Sequence, residues 1–171
     1  SINLKGARID DLGLTRERMT IGKDSPAVRL LSPAGAPGAN FAGFGWTGEG
    51  VAVPGPDTLW TASAPVLAPG RPVVLSWTSP SGQRFEQTIA VDNDYLFTVR
   101  QTVANAGAGP VAVRPYGLIS RATKSADPST WTNHVGPISV SDGAANYKIN
   151  WKDVDQAGPS GEDFSSRGGW L

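Results

Sequence analysis

Between Arg84 and Ser120 the chain reads RFEQTIAVDNDYLFTVRQTVANAGAGPVAVRPYGLIS, and this run narrows the possible folds more than any other. Phe85, Gln87, Ile89 and Val91 fall on one side of an extended chain, and Glu86, Thr88 and Ala90 on the other. That is the two-residue period of a strand with one buried face. Asp92-Asn93-Asp94 interrupts it with side chains that tolerate left-handed backbone and bond their own main chain, which predicts a turn. Tyr95, Phe97, Val99 and Val103 resume the alternation, with Thr98, Arg100 and Thr102 opposite. Asn105 to Pro110 supplies a second turn, and Val111 and Val113 lead a third strand into Pro115-Tyr116-Gly117-Leu118-Ile119. Links this short predict an antiparallel three-stranded meander. Its register is held by the apolar face, because a one-residue slip would turn Phe97 and Val99 to water.

The flanking sequence has the same grain. Ile2 to Ile9 alternates weakly and predicts a first strand, and Thr15 to Thr20 carries helix formers enough for one turn at most. Ala27 to Leu31, Phe41 to Trp46, Leu59 to Ala64 and Val73 to Thr78 read as further strands, the last by its β-branched content. Ser32 to Asn40 and Ser79 to Gly82 are loop and turn by composition. Arg121 to Asn133 reads as a surface loop, His134 to Val140 and Ala144 to Trp151 as strands around a Ser141-Asp142-Gly143 turn, and 152–171 as a polar, Gly-rich tail. There is no long helix and no fixed-period repeat. The expectation is one all-β domain over 1–171, an antiparallel β-sandwich or barrel with little helix. The 21 glycines and 14 prolines, about a fifth of the 171 residues, suit short strands and frequent turns. Six Trp and five Phe supply material for a core.

Composition removes several kinds of function. Fifteen basic and fifteen acidic side chains cancel, and no basic stripe suited to nucleic acid or to electrostatic docking on anionic lipid is present. The absence of Cys removes disulfides, iron–sulfur clusters and thiol nucleophiles. No apolar run approaches the ~20 residues of a membrane-spanning helix. There is no signal-peptide pattern either, so the chain as it stands reads as soluble.

Catalytic chemistry is not legible. His134 is the single histidine, and without a nucleophile elbow it reads as a strand-end residue bonding the main chain. One His and no Cys do not make a zinc site. Asp92-Asn93-Asp94 lacks the glycine and distal glutamate of a hand-type calcium loop. Asp10-Asp11, Asp153, Asp155, Glu162 and Asp163 read as solvated surface, and the glycines from Gly43 to Gly50 lack phosphate-loop spacing. No catalytic, cofactor-binding or metal-binding residue is assigned. Trp46, Trp60 and Trp77 sit in apolar strand patterns and predict core, whereas Trp131 and Trp170 lie in polar or Gly-rich surroundings. Exposed Trp on a β-sandwich leaves a carbohydrate-binding reading open.

Seven strings occur in order: DSPAVRLLSP (24–33), FGWTGEG (44–50), DTLWTA (57–62), RFEQTIAVDNDYLFTV (84–99), PYGLISR (115–121), HVGPISVSDG (134–143) and GGWL (168–171). Together they resemble the large periplasmic domain of the YidC membrane protein insertases of Gram-negative bacteria. The resemblance implies a β-supersandwich similar to galactose mutarotase, in a periplasmic segment of an inner-membrane protein whose spanning helices lie outside this chain. It implies a non-catalytic accessory role with no cofactor. The implied partners are Sec translocon components such as SecDF and inner-membrane substrate proteins, not nucleic acid. The family's domain typically continues past GGWL, so 1–171 corresponds to its N-terminal portion, with 152–171 leading toward the remainder. Unpaired strand edges are therefore expected. Mutarotases work with a His and a Glu at a sugar cleft, and no acid here matches His134. Fold likeness alone carries no activity. Two other readings remain, a sugar-binding or mutarotase-like module and a chaperone-like surface that accepts an extended strand.

Overall fold

The computed structural model describes residues 1–124, 134–157, 161 and 166–170. The chain divides into two compact units, Ser1–Thr123 and Lys124–Leu171. The first contains β1 (Ile2–Asn3), β2 (Arg8–Ile9), β3 (Leu12–Arg18), β4 (Ala27–Leu31), β5 (Asn40–Gly48), β6 (Thr61–Ala62), β7 (Val73–Thr78), β8 (Gln83–Val91), β9 (Phe97–Asn105) and β10 (Val113–Arg121). The second contains β11 (Ser139–Ser141), β12 (Ala144–Asn146), α1 (Trp151–Ala157) and β13 (Gly169–Trp170).

In the first unit two four-stranded sheets, β1-β2-β5-β10 and β6-β7-β8-β9, enclose the core, and β3-β4 forms a separate ribbon. All the pairings are antiparallel. The all-β sandwich class expected from the sequence is what the chain adopts, as open sheets rather than a closed barrel. Phe85, Leu75 and Ile89 are completely buried. From the opposing sheet comes Trp46, whose ring stands 5.2 Å from Phe85, edge to face, and 6.2 Å from Trp60, stacked. Trp77 packs at the margin, 5.8 Å from Phe85. The core assignment of all three tryptophans therefore holds. Burial along β8 alternates without a break from Gln83 to Ile89, as its sequence pattern predicts.

Two glutamines tie the sheets together. Among the described residues, that β5 edge pairs with β2 only at Ile9↔Ala42 and with Ser32 at Asn40, which leaves Gly43 to Gly48 without a strand beside it. Gln87 Nε2, from β8, donates to the Phe44 carbonyl at 2.8 Å, and Gln101 Nε2, its cross-strand neighbour on β9, donates to the Gly45 carbonyl at 2.8 Å. Side chains of one sheet thus satisfy main-chain acceptors of the other, which a dry interior requires.

The meander expectation is corrected. β8 and β9 form the predicted hairpin, but β10 leaves it and pairs along its whole length with β5, Val113↔Gly48 to Arg121↔Asn40. Residues 106–112 are long enough to cross the ~10 Å between packed sheets. Asn105 turns the chain away by accepting the Gly107 amide at Oδ1 and donating to the Gly109 carbonyl. Periodicity fixes which face of a strand is buried but not which neighbour it takes.

Other segments also depart from the expectations. Ile2–Ile9 is two short strands, not one. They turn at Gly6 and Ala7, both with left-handed backbone, and a Cβ on Gly6 would meet the Pro56 carbonyl at 2.5 Å. Thr15–Thr20 is not helical. Through Arg18 it is strand, because pairing with β4 overrides a local preference too short to nucleate a helix. Of Leu59–Ala64 only Thr61–Ala62 is strand, and Leu59 adds a bridge to Lys5. In the second unit only Ser139–Ser141 and Ala144–Asn146 extend around the turn, and Trp151 begins a helix. Asn150 caps that helix, its Oδ1 accepting the Lys152 and Asp153 amides while Asp153 Oδ2 accepts the Asn150 amide. The expected surface loop at Arg121–Asn133 lies largely outside the described residues.

Candidate functional site: an uncovered strand and an apolar cavity

β10 is the outermost strand of its sheet among the described residues, and its outer edge has no partner strand. Residues opposite one another in an antiparallel pair share a face. Pro115, Gly117 and Ile119 therefore lie on the core side with Trp46, Phe44 and Ala42, and Arg114, Tyr116, Leu118 and Ser120 lie on the outer side. A core-side residue of a covered sheet should be buried, yet Ile119 is 62% exposed, alongside Leu118 at 49% and Tyr116 at 46%. Val113 at the start of β10 packs on the core, but the opposing sheet does not cover Ile119, so apolar side chains project from both faces of the later part of the strand. On the outer face Tyr116 lies across Gly45, where a Cβ would come within 2.6 Å of the phenol oxygen. The glycine keeps β5 flat and lets the ring rest on backbone. Pro115 brings no N–H, which suits an edge strand and blunts it against adding a further strand.

At one end of the sandwich a cavity of about 950 Å³ reaches the core at Ile9, Val73 and Leu75, with Leu12, Leu67 and Phe97 along its walls. Its rim includes Arg16, Asp92 and Tyr95. These rim groups are engaged with one another or with the turn. β3 carries a large bulge, the register jumping between Leu14↔Val28 and Arg18↔Ala27. The bulge brings the Arg16 amide to donate to the Tyr95 hydroxyl at 3.1 Å, with Thr15 Oγ1 at 3.1 Å from the same oxygen. The Arg16 guanidinium donates to the Asn93 carbonyl and to Asp94, and lies 4.9 Å from the centre of the Tyr95 ring. Bonds from Thr15 and then from the Arg16 amide hold the Tyr95 phenol below its usual pKa, and the bond to Asp94 raises that of Arg16. Tyr95 has φ 66°, an uncommon backbone for an aromatic residue, which this clamp holds in place. The arrangement fastens the β3–β4 ribbon to the β8–β9 turn. Its polar groups are taken up by that fastening.

The residues weighed in the sequence lie apart. Asp92 Oδ1 accepts the amides of Asp94 and Leu96, so Asp92-Asn93-Asp94 is the turn it resembled. Among the described residues no three potential metal ligands cluster. His134 belongs to the second unit, where Nε2 lies 3.1 Å from the Pro137 carbonyl, the main-chain bond expected of it. Asp10 is buried and bonded to Asn3, so it is not solvated surface, whereas Asp155 is exposed and pairs with Lys124. Asp11 pairs with Arg29. Trp170 is exposed, as expected, while Trp131, Glu162 and Asp163 lie outside the described residues. The uncovered β10 was not foreseen as such. Its signal was the run Tyr116-Gly117-Leu118-Ile119, apolar on both alternations, which marks a strand meant to be covered on both faces.

The family model described as the YidC periplasmic domain matches residues 1–171. The chain belongs to this family. Among curated relatives, the membrane protein insertase YidC of Zymomonas mobilis is 46% identical over 171 residues, which is 100% of this chain and 30% of that protein. That of Acidiphilium cryptum is 42% identical over 183 residues, and that of Methylorubrum extorquens 38% over 179, each across the whole chain, covering 30% and 29% of those proteins. The chain thus spans about 30% of the length of the YidC relatives it matches. No solved structure matches it. Membership puts these residues on the periplasmic side of the bacterial inner membrane. None of the helices among the described residues is long and apolar enough to cross a membrane.

Proposed function

We propose that residues 1–171 serve as a non-catalytic accessory surface of a membrane protein insertase, making protein–protein contacts during insertion and folding of inner-membrane proteins. The partners are components of the Sec translocon such as SecDF and the substrate proteins themselves. The observation that carries the reading is β10, where Tyr116, Leu118 and Ile119 present apolar area on both faces of an outermost strand. Contiguous exposed apolar surface is what protein-contact sites use, with aromatic side chains prominent. Family membership supports the insertase context. The match across both units supports treating 1–171 as part of one periplasmic module. Pro115 favours docking through side chains over the addition of a strand. The carbohydrate-module reading gains nothing from the cavity, whose depth is lined with aliphatic groups rather than the convergent polar groups that sugars require.

The test is site-specific photocrosslinking from Leu118 and from a distant exposed position in the full-length insertase. Crosslinks to a translocon component or a nascent membrane protein from Leu118 alone are expected, and Ile119→Lys should weaken them. Deleting 1–171 should leave most insertion intact. No adduct from Leu118, or loss of all insertion on deletion, would overturn the reading.

A further inference from the structure

The β3–β4 ribbon ends in a loop, Met19 to Ser25, that places apolar side chains where a folded protein gains nothing from them. Ile21 is fully exposed and Met19 is 66% exposed. The ribbon makes no sheet with the sandwich and is fastened to it at the Arg16–Tyr95 clamp, on the body side of this loop. The loop is nevertheless internally ordered. The Met19 amide donates to the Pro26 carbonyl at 3.0 Å, the Thr20 amide to Ser25 Oγ at 2.8 Å, the Gly22 amide to Thr20 Oγ1, and the Ser25 amide to the Gly22 carbonyl at 3.1 Å. Ser25 itself is buried beneath them.

Backbone donors left unbonded are the main obstacle to moving an irregular loop out of water into lipid. In this loop four of the seven donors from Met19 to Ser25 are met from within it or from its own ribbon, in the presence of two projecting apolar side chains. Lys23 flanks them on a long stem, able to lie along an apolar boundary with its charge in the aqueous layer, while Arg18 Nη1 donates to the Ser25 carbonyl at 3.3 Å and braces the loop. Glu17 and Asp24 are interspersed, so the loop has no strong field of either sign. The sequence lacks the basic stripe needed for purely electrostatic docking, and the loop does not require one.

We infer that the β3–β4 tip is a bilayer-contacting anchor: Ile21 and Met19 enter the boundary between headgroups and acyl chains of a phospholipid bilayer, and Lys23 meets the lipid phosphates. The occupant is the membrane surface and not a protein, because the loop offsets part of its own desolvation cost in lipid by bonding the Met19, Thr20, Gly22 and Ser25 amides within the ribbon, and because the family sets this chain beside a membrane. Partner binding at β10 is a separate matter, so either can fail alone.

The chain has no cysteine, which allows a single label to be placed cleanly. Thr20→Cys carrying an environment-sensitive fluorophore is titrated with vesicles of phosphatidylethanolamine and phosphatidylglycerol. A blue shift with increased emission is expected, persisting at high salt because apolar insertion leads. The same label at Gly109→Cys, in the β9–β10 connection, should not respond. Adding Ile21→Asp should weaken vesicle binding at least about tenfold, the loss expected from withdrawing one buried aliphatic side chain. Its circular dichroism should be unchanged, since Ile21 touches no core. No response of the Thr20 label at any lipid concentration, or equal binding with Ile21→Asp, overturns the proposal. So does a Thr20 response that requires an added protein.

Discussion

Replacing Gln87 by Glu would test the closure of the two sheets with a single atom change. Gln87 is completely buried on β8, donates to the Phe44 carbonyl across the sandwich, and keeps its Oε1 without a partner among the described residues. A protonated Glu has nearly the same shape and can donate its O–H to the same carbonyl. An ionised Glu cannot, and would set a charge against a carbonyl oxygen in a dry interior. Burial therefore raises the carboxyl pKa in the folded state above the ~4.3 of the unfolded chain. For an acid shifted upward, the folded state binds more protons than the unfolded one. The cost is therefore absent at low pH and appears as pH climbs past the unfolded value. It amounts to about 1.4 kcal/mol per pH unit while the folded side chain stays neutral, or roughly 3.5 kcal/mol at pH 7. With a urea slope of about 1.5 kcal/mol per molar, the unfolding midpoint should fall by roughly 2 M relative to the parent chain at pH 7. At pH 4 the two midpoints should lie close together. Gln101→Glu is the control. It is half-buried, water can reach it, and its loss should be smaller at every pH. A Gln87→Glu penalty that is the same at pH 4 and pH 7, or one under about 1 kcal/mol at pH 7, would mean that water reaches the Gln87–Phe44 contact and that the sheets do not seal there.

Phe85→Ala empties the centre of the aromatic cluster formed with Trp46 and Trp77. It should cost about 3–5 kcal/mol, read by thermal or denaturant unfolding. Tyr95→Phe removes the acceptor of the Arg16 amide and the contact with Thr15. Hydrogen exchange at Arg16 should accelerate while the global melting temperature moves little, because the ribbon is released and the sandwich is not. Asp57 is held below the ordinary carboxylate range, first by its bond to Lys5 and then by that charge. A lowered acid contributes stability above its unfolded pKa and loses it as pH falls through the folded value. An NMR titration should show Asp57 deprotonating early and returning to the ordinary range in Lys5→Gln.

The buried faces of β8 and β9 could be read in advance. Phe85, Gln87 and Ile89 alternate with half-exposed Glu86, Thr88 and Ala90, and a period of two allows no other result once the segment is extended. The partners could not be read, because β10 carries the same alternation whether it lies beside β9 or β5, and only the length and trajectory of residues 106–112 decide. Thr15–Thr20 misled because helix propensity is a local quantity and the pairing with β4 is not. The family was legible from seven ordered strings, and the chemistry of His134 and of Asp92-Asn93-Asp94 from what they lacked. What the sequence hid was surface. Exposure of Ile119 depends on how far the opposing sheet extends, and exposure of Ile21 on where a ribbon points, and neither is a property of neighbouring residues.

The pairing of β5 with β10 has a temporal consequence. β5 leaves a ribosome or translocon well before the strand that completes its ladder, since Asn40 is paired with Arg121 and the β6–β9 sheet lies between them in the chain. That intervening sheet is built from two successive hairpins among β7, β8 and β9 and can form as it is made, whereas β5 must wait with the edge that takes β10 unfilled. Closing so long a loop last makes the final ladder slow and leaves the glycine-rich β5 as the vulnerable intermediate. Truncations ending just before β10 should therefore yield a chain that is soluble only briefly, with β5 as the site from which it aggregates.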